Sequence, residues 1–148
     1  MRALLQRVSR AEVRVGGEVA GSIGRGLLVL LGVAPDDDDA VAGALARRVV
    51  ELRIHQDADG RTNLALADVG GAVLAVSQFT LYADTRRGRR PGFTAAAAPG
   101  HAEAIYRRFC EALEELGVTT ARGRFGAPME VELVNDGPFT IWLDTAER

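Results

Sequence analysis

The chain has 148 residues and a formal net charge of −2, with 47% hydrophobic and 26% charged residues. These proportions are typical of a globular protein and exclude a disordered, collagen-like or coiled-coil chain, and the length predicts one domain over residues 1–148. Because no apolar run approaches the roughly 20 residues of a membrane helix, and the start lacks a secretory signal pattern, we expect a cytoplasmic protein.

The first third of the chain is predicted to form strands. Residues 3–8 make the first strand. Residues 11–15 and 18–23 alternate apolar and polar side chains on either side of Gly16-Gly17, which is typical of a hairpin with a two-residue turn. Residues 26–33 are continuously apolar, which indicates a strand buried on both faces.

Two segments have apolar residues at helical spacing and are predicted to be helices. These residues are Val41, Leu45, Val49 and Leu52 in the first segment and Ile105, Phe109, Leu113 and Leu116 in the second. Acidic residues 36–39 precede the first helix, where they complement its dipole. We interpret them as a solvated helix start rather than a cation site, because the alternating ligands of an EF-hand are absent. The second helix begins at Pro99 and stops at Gly117.

Three further strands are predicted in the rest of the chain. Residues 72–81 are apolar at first and polar toward the end, and residues 129–134 and 139–143 form two closing strands joined through a turn at 135–138. Strands interspersed with two helices predict an α/β protein with a mixed sheet and helices on one side.

Cysteine and histidine are too few for several common kinds of site. The single Cys110 excludes an internal disulfide and a Cys-rich zinc site. It lies beside Phe109 near the apolar helix face, which favours a role in the core over a role as nucleophile. We interpret His55 and His101 as structural, and the sequence shows no close cluster of metal ligands.

The segment Ser77-Gln78-Phe79-Thr80 places two hydroxyls and an amide at the end of an otherwise apolar strand. Functional side chains are often found where a rigid strand ends. The alternative is that these hydroxyls only satisfy backbone groups. This segment is the first candidate for chemistry.

The second candidate is the arginine-rich loop Arg86-Arg87-Gly88-Arg89-Arg90-Pro91-Gly92-Phe93. Arginine binds phosphate oxygens in a fork, and an aromatic side chain stacks on a base. Because the net charge of the chain is slightly negative, this local patch suits a few phosphates at the end of a nucleic acid. The alternative is a solvated charged loop.

The third candidate is Asn135-Asp136-Gly137-Pro138-Phe139-Thr140. Its Gly-Pro bond is a candidate cis peptide, since proline makes the cis form accessible. Glycine also lets another group approach the backbone closely, because it has no Cβ. The alternative is a simple turn.

In their order and separation, the first and third segments closely resemble the D-aminoacyl-tRNA deacylase family. The likeness covers almost the whole chain and includes Leu5-Gln6-Arg7-Val8, the run 26–33, Asp84 with Arg86, Arg90-Pro91-Gly92-Phe93 and Trp142. One residue departs from the family pattern: Phe139 stands where valine is usual, which raises the question of how the chain packs behind Gly137-Pro138.

The resemblance implies a three-layer β/β/α sandwich, a cytoplasmic homodimer with active sites at the subunit interface, and no metal or organic cofactor. It implies hydrolysis of the ester that joins a D-amino acid to the 3′ end of tRNA, and of glycine mischarged on tRNA-Ala. It also implies that Gly137-Pro138 is cis and reaches into the active site of the partner subunit.

Residues that match the family's motifs are assigned roles. They are Ser77, Gln78, Phe79 and Thr80 in catalysis, Gly137 and Pro138 in chiral selection and binding of the substrate amino group, Arg86, Arg87, Arg89, Arg90 and Phe93 in tRNA binding, and Asn135, Thr140 and Met129 in support. Gln78 also suits bracing of the partner's Gly-Pro loop, because an amide donates and accepts.

The sequence offers no recognisable Ser-His-Asp or Cys-His set. One possibility is that Thr80 or Ser77 acts as the nucleophile with a distant base. The other, favoured by the missing base, is that the substrate's ribose 2′-OH helps to activate water while backbone N–H groups near Phe79 and Thr80 bind the oxyanion.

Chirality is expected to follow from a collision of an L side chain with the Gly137-Pro138 backbone, since a D side chain would point into open space. Three alternatives stay open: a covalent esterase, a tRNA-end binding module that does not cleave, and a dimer in which the Gly-Pro turn only shapes an interface.

Overall fold

The structure is a computed structural model that describes residues 1–147. Its strands are β1 (Arg2–Val15), β2 (Glu18–Ile23), β3 (Gly26–Gly32), β4 (His55–Gln56), β5 (Thr62–Leu64), β6 (Ala72–Ser77), β7 (Thr120–Arg122) and β8 (Glu130–Asp144). Its helices are α1 (Asp39–Glu51) and α2 (Pro99–Glu115), and short 3-10 turns span Ala67–Val69 and Phe79–Tyr82.

β1 pairs with three other strands of the main sheet. β3 and then β2 lie antiparallel along one edge, and β8 lies antiparallel along the other. Beyond β3, β6 and β7 continue the sheet in parallel, while β4 and β5 form a separate ribbon. The sheet curls until β2 meets β7: a Cβ added at Gly21 would lie 2.6 Å from Arg122 O, so this close approach requires glycine.

Two apolar clusters divide the structure into three layers. The larger cluster lies between the sheet and the helices and includes Leu5, Leu27, Val29, Leu45 and Phe109. The smaller one lies on the opposite face of β3 and β6, under β2 and the second half of β1, and includes Val13, Ile23, Leu28 and Leu74. Because successive strand residues point to opposite faces, β3 contributes to both clusters. This arrangement confirms the predicted α/β class and the three-layer β/β/α sandwich.

The hairpin and both helices lie where the sequence predicts them. Gly16 and Gly17 have φ angles of 58° and 83°, a region that favours glycine, and they join β1 to β2. The Asp38 side chain caps α1 by accepting a hydrogen bond from Val41 N, and α2 begins at Pro99. No helix within residues 1–147 is both long and apolar enough to cross a membrane.

The two closing strands predicted at 129–134 and 139–143 are wrong as separate elements, since both belong to β8. In its pairing with β1, Gln6 faces Thr140 and Val8 faces Asn135, so the four residues 136–139 stand opposite Arg7 alone. The Gly-Pro segment is therefore a large bulge within one strand rather than a turn between two strands. Pairing with β8 also makes β1 a single strand, where two were predicted.

The predicted strand 72–81 is too long, because β6 ends at Ser77. Gln78 N still donates to Leu31 O, 2.7 Å away, and the chain then winds into the 3-10 turn Phe79–Tyr82. Tyr82 of this turn is buried, which explains how an apolar stretch that resembles a strand leaves the sheet.

Candidate active site

A cavity of about 580 Å³ opens where β6 ends. It lies between this strand end, the start of α2 and the segment 125–129, and it brings together five residues assigned from the sequence. These are Ser77, Gln78, Phe79, Phe93 and Met129. Most other wall residues are apolar, among them Val76 and Phe125. A concave, mostly apolar wall with a few polar groups is the usual form of a small-ligand site.

The 3-10 turn after β6 leaves two adjacent backbone donors free, that of Phe79 in the cavity wall and that of Thr80 next to it in the chain. Inside the turn, Leu81 N donates to Gln78 O at 3.2 Å and Ala83 N donates to Thr80 O at 3.1 Å. The amides of Phe79 and Thr80 come first in the turn, so no earlier carbonyl pairs with them, and neither donates a hydrogen bond within residues 1–147. Two adjacent free N–H groups can bind an anion or a developing oxyanion.

The hydroxyl of Thr80 has no base beside it in the part of the chain that the structure describes. Gln78 Nε2 donates to Thr80 Oγ1, and Thr80 itself is exposed and lies outside the cavity wall. His101 Nε2 contacts Asp37 O at 2.7 Å, and His55 is buried in β4. Neither histidine lines the cavity, so the interpretation of both as structural agrees with their positions.

Cys110 is buried within the larger core cluster, as the sequence predicts. Burial raises the pKa of its thiol to about 11, so the reactive thiolate is scarce at neutral pH. Within residues 1–147, no three His, Cys, Asp or Glu side chains are grouped so that they could hold a metal ion.

Two aromatic rings form the rim of the cavity. Phe79 is 53% exposed, and its ring meets that of Phe93 edge-on, with centroids 5.0 Å apart and planes inclined at 68°. Edge-to-face packing is the favourable arrangement of such a pair. An exposed aromatic face of this kind can stack on a flat ligand such as a nucleobase.

The arginine-rich loop is closed at its base and open at its tip. Asp84 and Gly92 pair through two backbone hydrogen bonds of 2.7 and 2.9 Å. Arg86 donates from Nε to Asp84 Oδ1 at 2.9 Å and from Nη2 to Asp84 Oδ2 at 2.8 Å. These hydrogen bonds hold the pKa of the Asp84 carboxyl well below its usual range. Beyond this brace, the exposed Arg87, Arg89 and Arg90 form no ion pair within the described residues.

The Gly137-Pro138 bond is cis, and side chains from β1 and β8 fix the segment that carries it. Asn135 Nδ2 donates to Arg7 O at 2.9 Å and to Phe139 O at 3.0 Å, and so closes the bulge across its base. A Cβ on Gly137 would lie 3.0 Å from Asn135 Oδ1. Both Gly137 and Pro138 are exposed, so their backbone is available to a second molecule.

Arg7 fixes the other side of the bulge and was not assigned a role from the sequence. Its side chain is 3% exposed; Nε donates to Asp136 O at 3.0 Å and Nη1 to Ile54 O at 2.6 Å. Its guanidinium lies 4.2 Å from the ring centroid of Phe139. The ring that replaces the usual valine therefore packs against a buried cation. The sequence did contain a signal for Arg7, because its charged side chain occupies an inward position of an otherwise apolar strand.

The cavity and the Gly-Pro segment lie apart within one chain. Ser77 is level with Leu31 and Ala3 across the sheet, whereas the bulge stands opposite Arg7, four residues further along β1. That offset is about 13 Å along the strands, and β8 lies three strands from β6, about 14 Å across. Thr140, hydrogen-bonded to Gln6, stays with the bulge. One chain therefore brings the residues at the end of β6 together at the cavity but leaves the Gly137-Pro138 segment away from them.

Comparisons with known proteins relate the chain to tRNA deacylases. Residues 4–144 match the sequence model of a family described as D-Tyr-tRNA(Tyr) deacylase. The chain is 59% identical to a D-aminoacyl-tRNA deacylase of Symbiobacterium thermophilum, covering 98% of this chain and 96% of that protein. It is 60% identical to one of Anaeromyxobacter dehalogenans, with 98% and 97% covered.

Two solved structures share the fold. The structure titled c-Myc DNA Unwinding Element Binding Protein has a TM-score of 0.91 and 38% identity, covering 98% of this chain and 99% of that one. A structure described as a probable eukaryotic D-amino acid tRNA deacylase has a TM-score of 0.84 at 19% identity, with 96% and 97% covered. The second likeness, at this low identity, concerns the fold alone.

Proposed function

The chain belongs to the D-Tyr-tRNA(Tyr) deacylase family, and we propose that it hydrolyses the ester between a D-amino acid and the 3′ end of tRNA. Water adds to the ester carbonyl carbon, the carbon–oxygen bond to the ribose breaks, and the ribose oxygen takes a proton. The observation that carries this proposal is the apolar cavity, with the backbone N–H groups of Phe79 in its wall and of the adjacent Thr80 unpaired within the described residues. Glycine, which lacks a side chain, would also be accepted.

The amides of Phe79 and Thr80 are the proposed oxyanion hole. When water attacks, negative charge develops on the carbonyl oxygen, and fixed N–H donors stabilise that charge more than they stabilise the neutral ester. One such donor typically contributes about 10²–10³ in rate. Because both donors are main-chain groups, side-chain substitutions at these positions leave the hole in place.

The substrate is proposed to supply its own proton acceptor. Neither histidine lines the cavity, and among residues 1–147 the hydrogen-bond partner of Thr80 Oγ1 is the Gln78 amide, so these residues place no base beside a hydroxyl nucleophile. The ribose 2′-OH next to the ester is then the group best placed to orient water. A Thr80→Ala variant that keeps most of its kcat supports this route, whereas loss of activity with trapping of an acyl-enzyme would favour Thr80 as nucleophile.

Chiral selection is proposed to come from the exposed backbone of Gly137 and Pro138. If their carbonyls bind the substrate amino group, one direction from the substrate Cα meets main chain at contact distance, where hydrogen fits and carbon does not. An L side chain takes that direction and a D side chain does not. Each ~1.4 kcal/mol of this clash is a tenfold preference, and it requires a segment that cannot retreat. Asn135 and Arg7 provide that rigidity.

A second copy of the chain is proposed to deliver this segment to the cavity. Within one chain the segment stands about 13 Å along and about 14 Å across from Ser77, too far to contact one bound amino acid. A two-fold dimer brings the bulge of one subunit to the cavity of the other in both sites at once. Gln78, at the cavity, is proposed to hold the partner's Gly137-Pro138 segment in place through hydrogen bonds of its side-chain amide.

Mixing two variants that are each expected to have reduced activity tests the dimer. Ala96→Trp fills the cavity, and Gly137→Ala crowds the Gly137-Pro138 backbone proposed to reject L side chains, here called the filter. In mixed dimers with sites shared between subunits, one site combines an intact cavity with an intact filter. Random exchange should then restore activity to about a quarter of all sites. No recovery in verified mixed dimers would show that each chain uses its own segment.

The tip of the arginine-rich loop is proposed to hold terminal tRNA phosphates. Arg87, Arg89 and Arg90 are exposed and free of carboxylates within the described residues, and the loop leads directly into Phe93 at the cavity. Phosphate contacts of this kind position the tRNA end, while Phe79 and Phe93 offer the surface for the terminal base.

Hydrolysis of matched D- and L-tyrosyl-tRNA is the decisive experiment. We expect rapid release of D-tyrosine and at least a hundredfold slower release of L-tyrosine. Gly137→Ala should reduce D-tyrosine release, because a Cβ there is crowded, whereas Gly43→Ala on α1, where nothing lies within 4 Å, should not. Similar rates for both enantiomers would refute the filter, and tRNA binding without release would indicate a binding module.

A further inference from the structure

Arg2 links the beginning of β1 to the turn that follows β6. Its Nη1 donates a hydrogen bond of 2.9 Å to Leu81 O, and its Nε donates to Asp144 Oδ2 at 3.0 Å. The guanidinium also lies 4.4 Å from the ring centroid of Tyr82 and 5.6 Å from that of Trp142. Four neighbours therefore fix a side chain that is 32% exposed.

Asp144 is fixed as well, so it can orient the arginine. It lies directly opposite Arg2 in the pairing of β1 with β8, and its residue is 8% exposed. Its Oδ1 accepts a hydrogen bond from Ala146 N at 3.0 Å, which leaves Oδ2 for Arg2. A held carboxylate on one arm of a planar guanidinium sets the direction of the other arm, here toward Leu81.

Leu81 belongs to the 3-10 turn whose first two amides form the proposed oxyanion hole. Turns of this kind have poorer hydrogen-bond geometry than an α-helix. Phe79 and Thr80 at its beginning are exposed, so core packing does not hold them. Among residues 1–147, the bond from Arg2 is the one side-chain hydrogen bond to the backbone of Phe79–Tyr82.

We propose that Arg2 is a positioning residue for the deacylation reaction, acting by anchoring Leu81 O so that the amides of Phe79 and Thr80 keep their direction. This inference rests on the proposed function and on those amides as oxyanion donors. Arg2 does not line the cavity, so we expect its effect in the chemical step rather than in binding. A misplacement of catalytic groups by about 1 Å can cost on the order of a hundredfold in rate.

The test is steady-state deacylation of D-tyrosyl-tRNA by Arg2→Gln and Arg2→Lys. We expect kcat to fall about tenfold for Gln and less for Lys, with KM changed by less than about twofold, because donors used only in the transition state are misaligned. Arg10→Gln is the matched control: Arg10 lies on the same strand and pairs with exposed Glu132, and its removal should leave kcat unchanged.

Asp144→Asn adds a readout that a loss of stability alone would not produce. It should lower kcat, but by less than Arg2→Gln does. The double variant should have the same kcat as Arg2→Gln alone, because both substitutions act through one contact. Thermal unfolding shows that each variant is folded at the assay temperature. Unchanged kcat, or a loss confined to KM, overturns the inference. An inactive wild-type chain refutes the proposed function instead.

Discussion

Replacing Arg7 by methionine should both destabilise the protein and weaken its preference for D-aminoacyl groups. The buried guanidinium donates to two carbonyls, Ile54 O and Asp136 O, and hydrogen bonds from a charged donor contribute about 1.5–3 kcal/mol each. Its contact with Phe139 adds about 1–2 kcal/mol at a desolvated site. The Asp136 carboxylate is half exposed and adds about 1 kcal/mol at most.

The loss on substitution by methionine is smaller than this sum. Methionine fills similar space, and burying it avoids the several kcal/mol needed to desolvate arginine. The net cost is then about 2–4 kcal/mol, which for a domain of this size lowers Tm by roughly 5–15 °C. Since the bulge would be held on the Asn135 side alone, the rate ratio for D- over L-tyrosyl-tRNA should fall about tenfold, or ~1.4 kcal/mol.

Denaturant unfolding and paired D and L deacylation assays measure both effects. Arg14→Met is the control, because Arg14 lies on the same strand but pairs with Glu12 at the surface and should cost less than about 1 kcal/mol. If Arg7→Met keeps full stability and full selectivity, the bulge is not held by this network and the reasoning about its rigidity is wrong.

Three further predictions concern neighbouring groups. Phe139→Val should lower the free energy of unfolding by about 1–3 kcal/mol, since it removes packing volume and the ring under Arg7; equal stability in denaturant would contradict this. Burial, with the charges of Arg25 and Arg7, lowers the pKa of His55, so stability should be complete above about pH 6.5 and fall as pH drops. His55→Gln should flatten that fall in thermal melts, and an unchanged slope would speak against it. Arg87→Glu should weaken tRNA binding and reduce the salt slope by about 0.7–0.9 for each phosphate that the loop ceases to neutralise, whereas an unchanged slope would place the phosphates elsewhere.

Local signals in the sequence predicted those parts of the fold that local physics determines. Gly16-Gly17 specifies its hairpin because two successive positive φ angles favour glycine, and the Asp38 cap and Pro99 set the starts of their helices. The bulge in β8 could not be predicted in this way. An extended segment interrupted by Gly-Pro has the same local pattern whether it turns back or continues, and the pairing with β1 decides between the two.

The candidate site shows the same division between local and long-range information. Ser77 to Thr80 were found because polar residues end an apolar run, and the cavity does open there. Arg7 was missed as a site residue because its role depends on Ile54 and Asp136, which are distant in sequence. Arg2 was missed for a similar reason, since its partners Leu81 and Asp144 lie far along the chain.

The separation of the two motifs within one chain is consistent with a separate physical task for each. Within residues 1–147, the end of β6 offers free donors and an apolar cavity, and no histidine lines that cavity. The bulge of β8 offers a fixed, exposed backbone but lies outside that cavity. Under the proposed mechanism, rapid ester hydrolysis with rejection of one enantiomer requires both halves. If the Gly137-Pro138 segment of a second copy selects the enantiomer, selectivity depends on assembly, so dilution below the dimer's dissociation constant should lower both the rate of D-tyrosyl-tRNA hydrolysis and the D-over-L preference of the activity that remains.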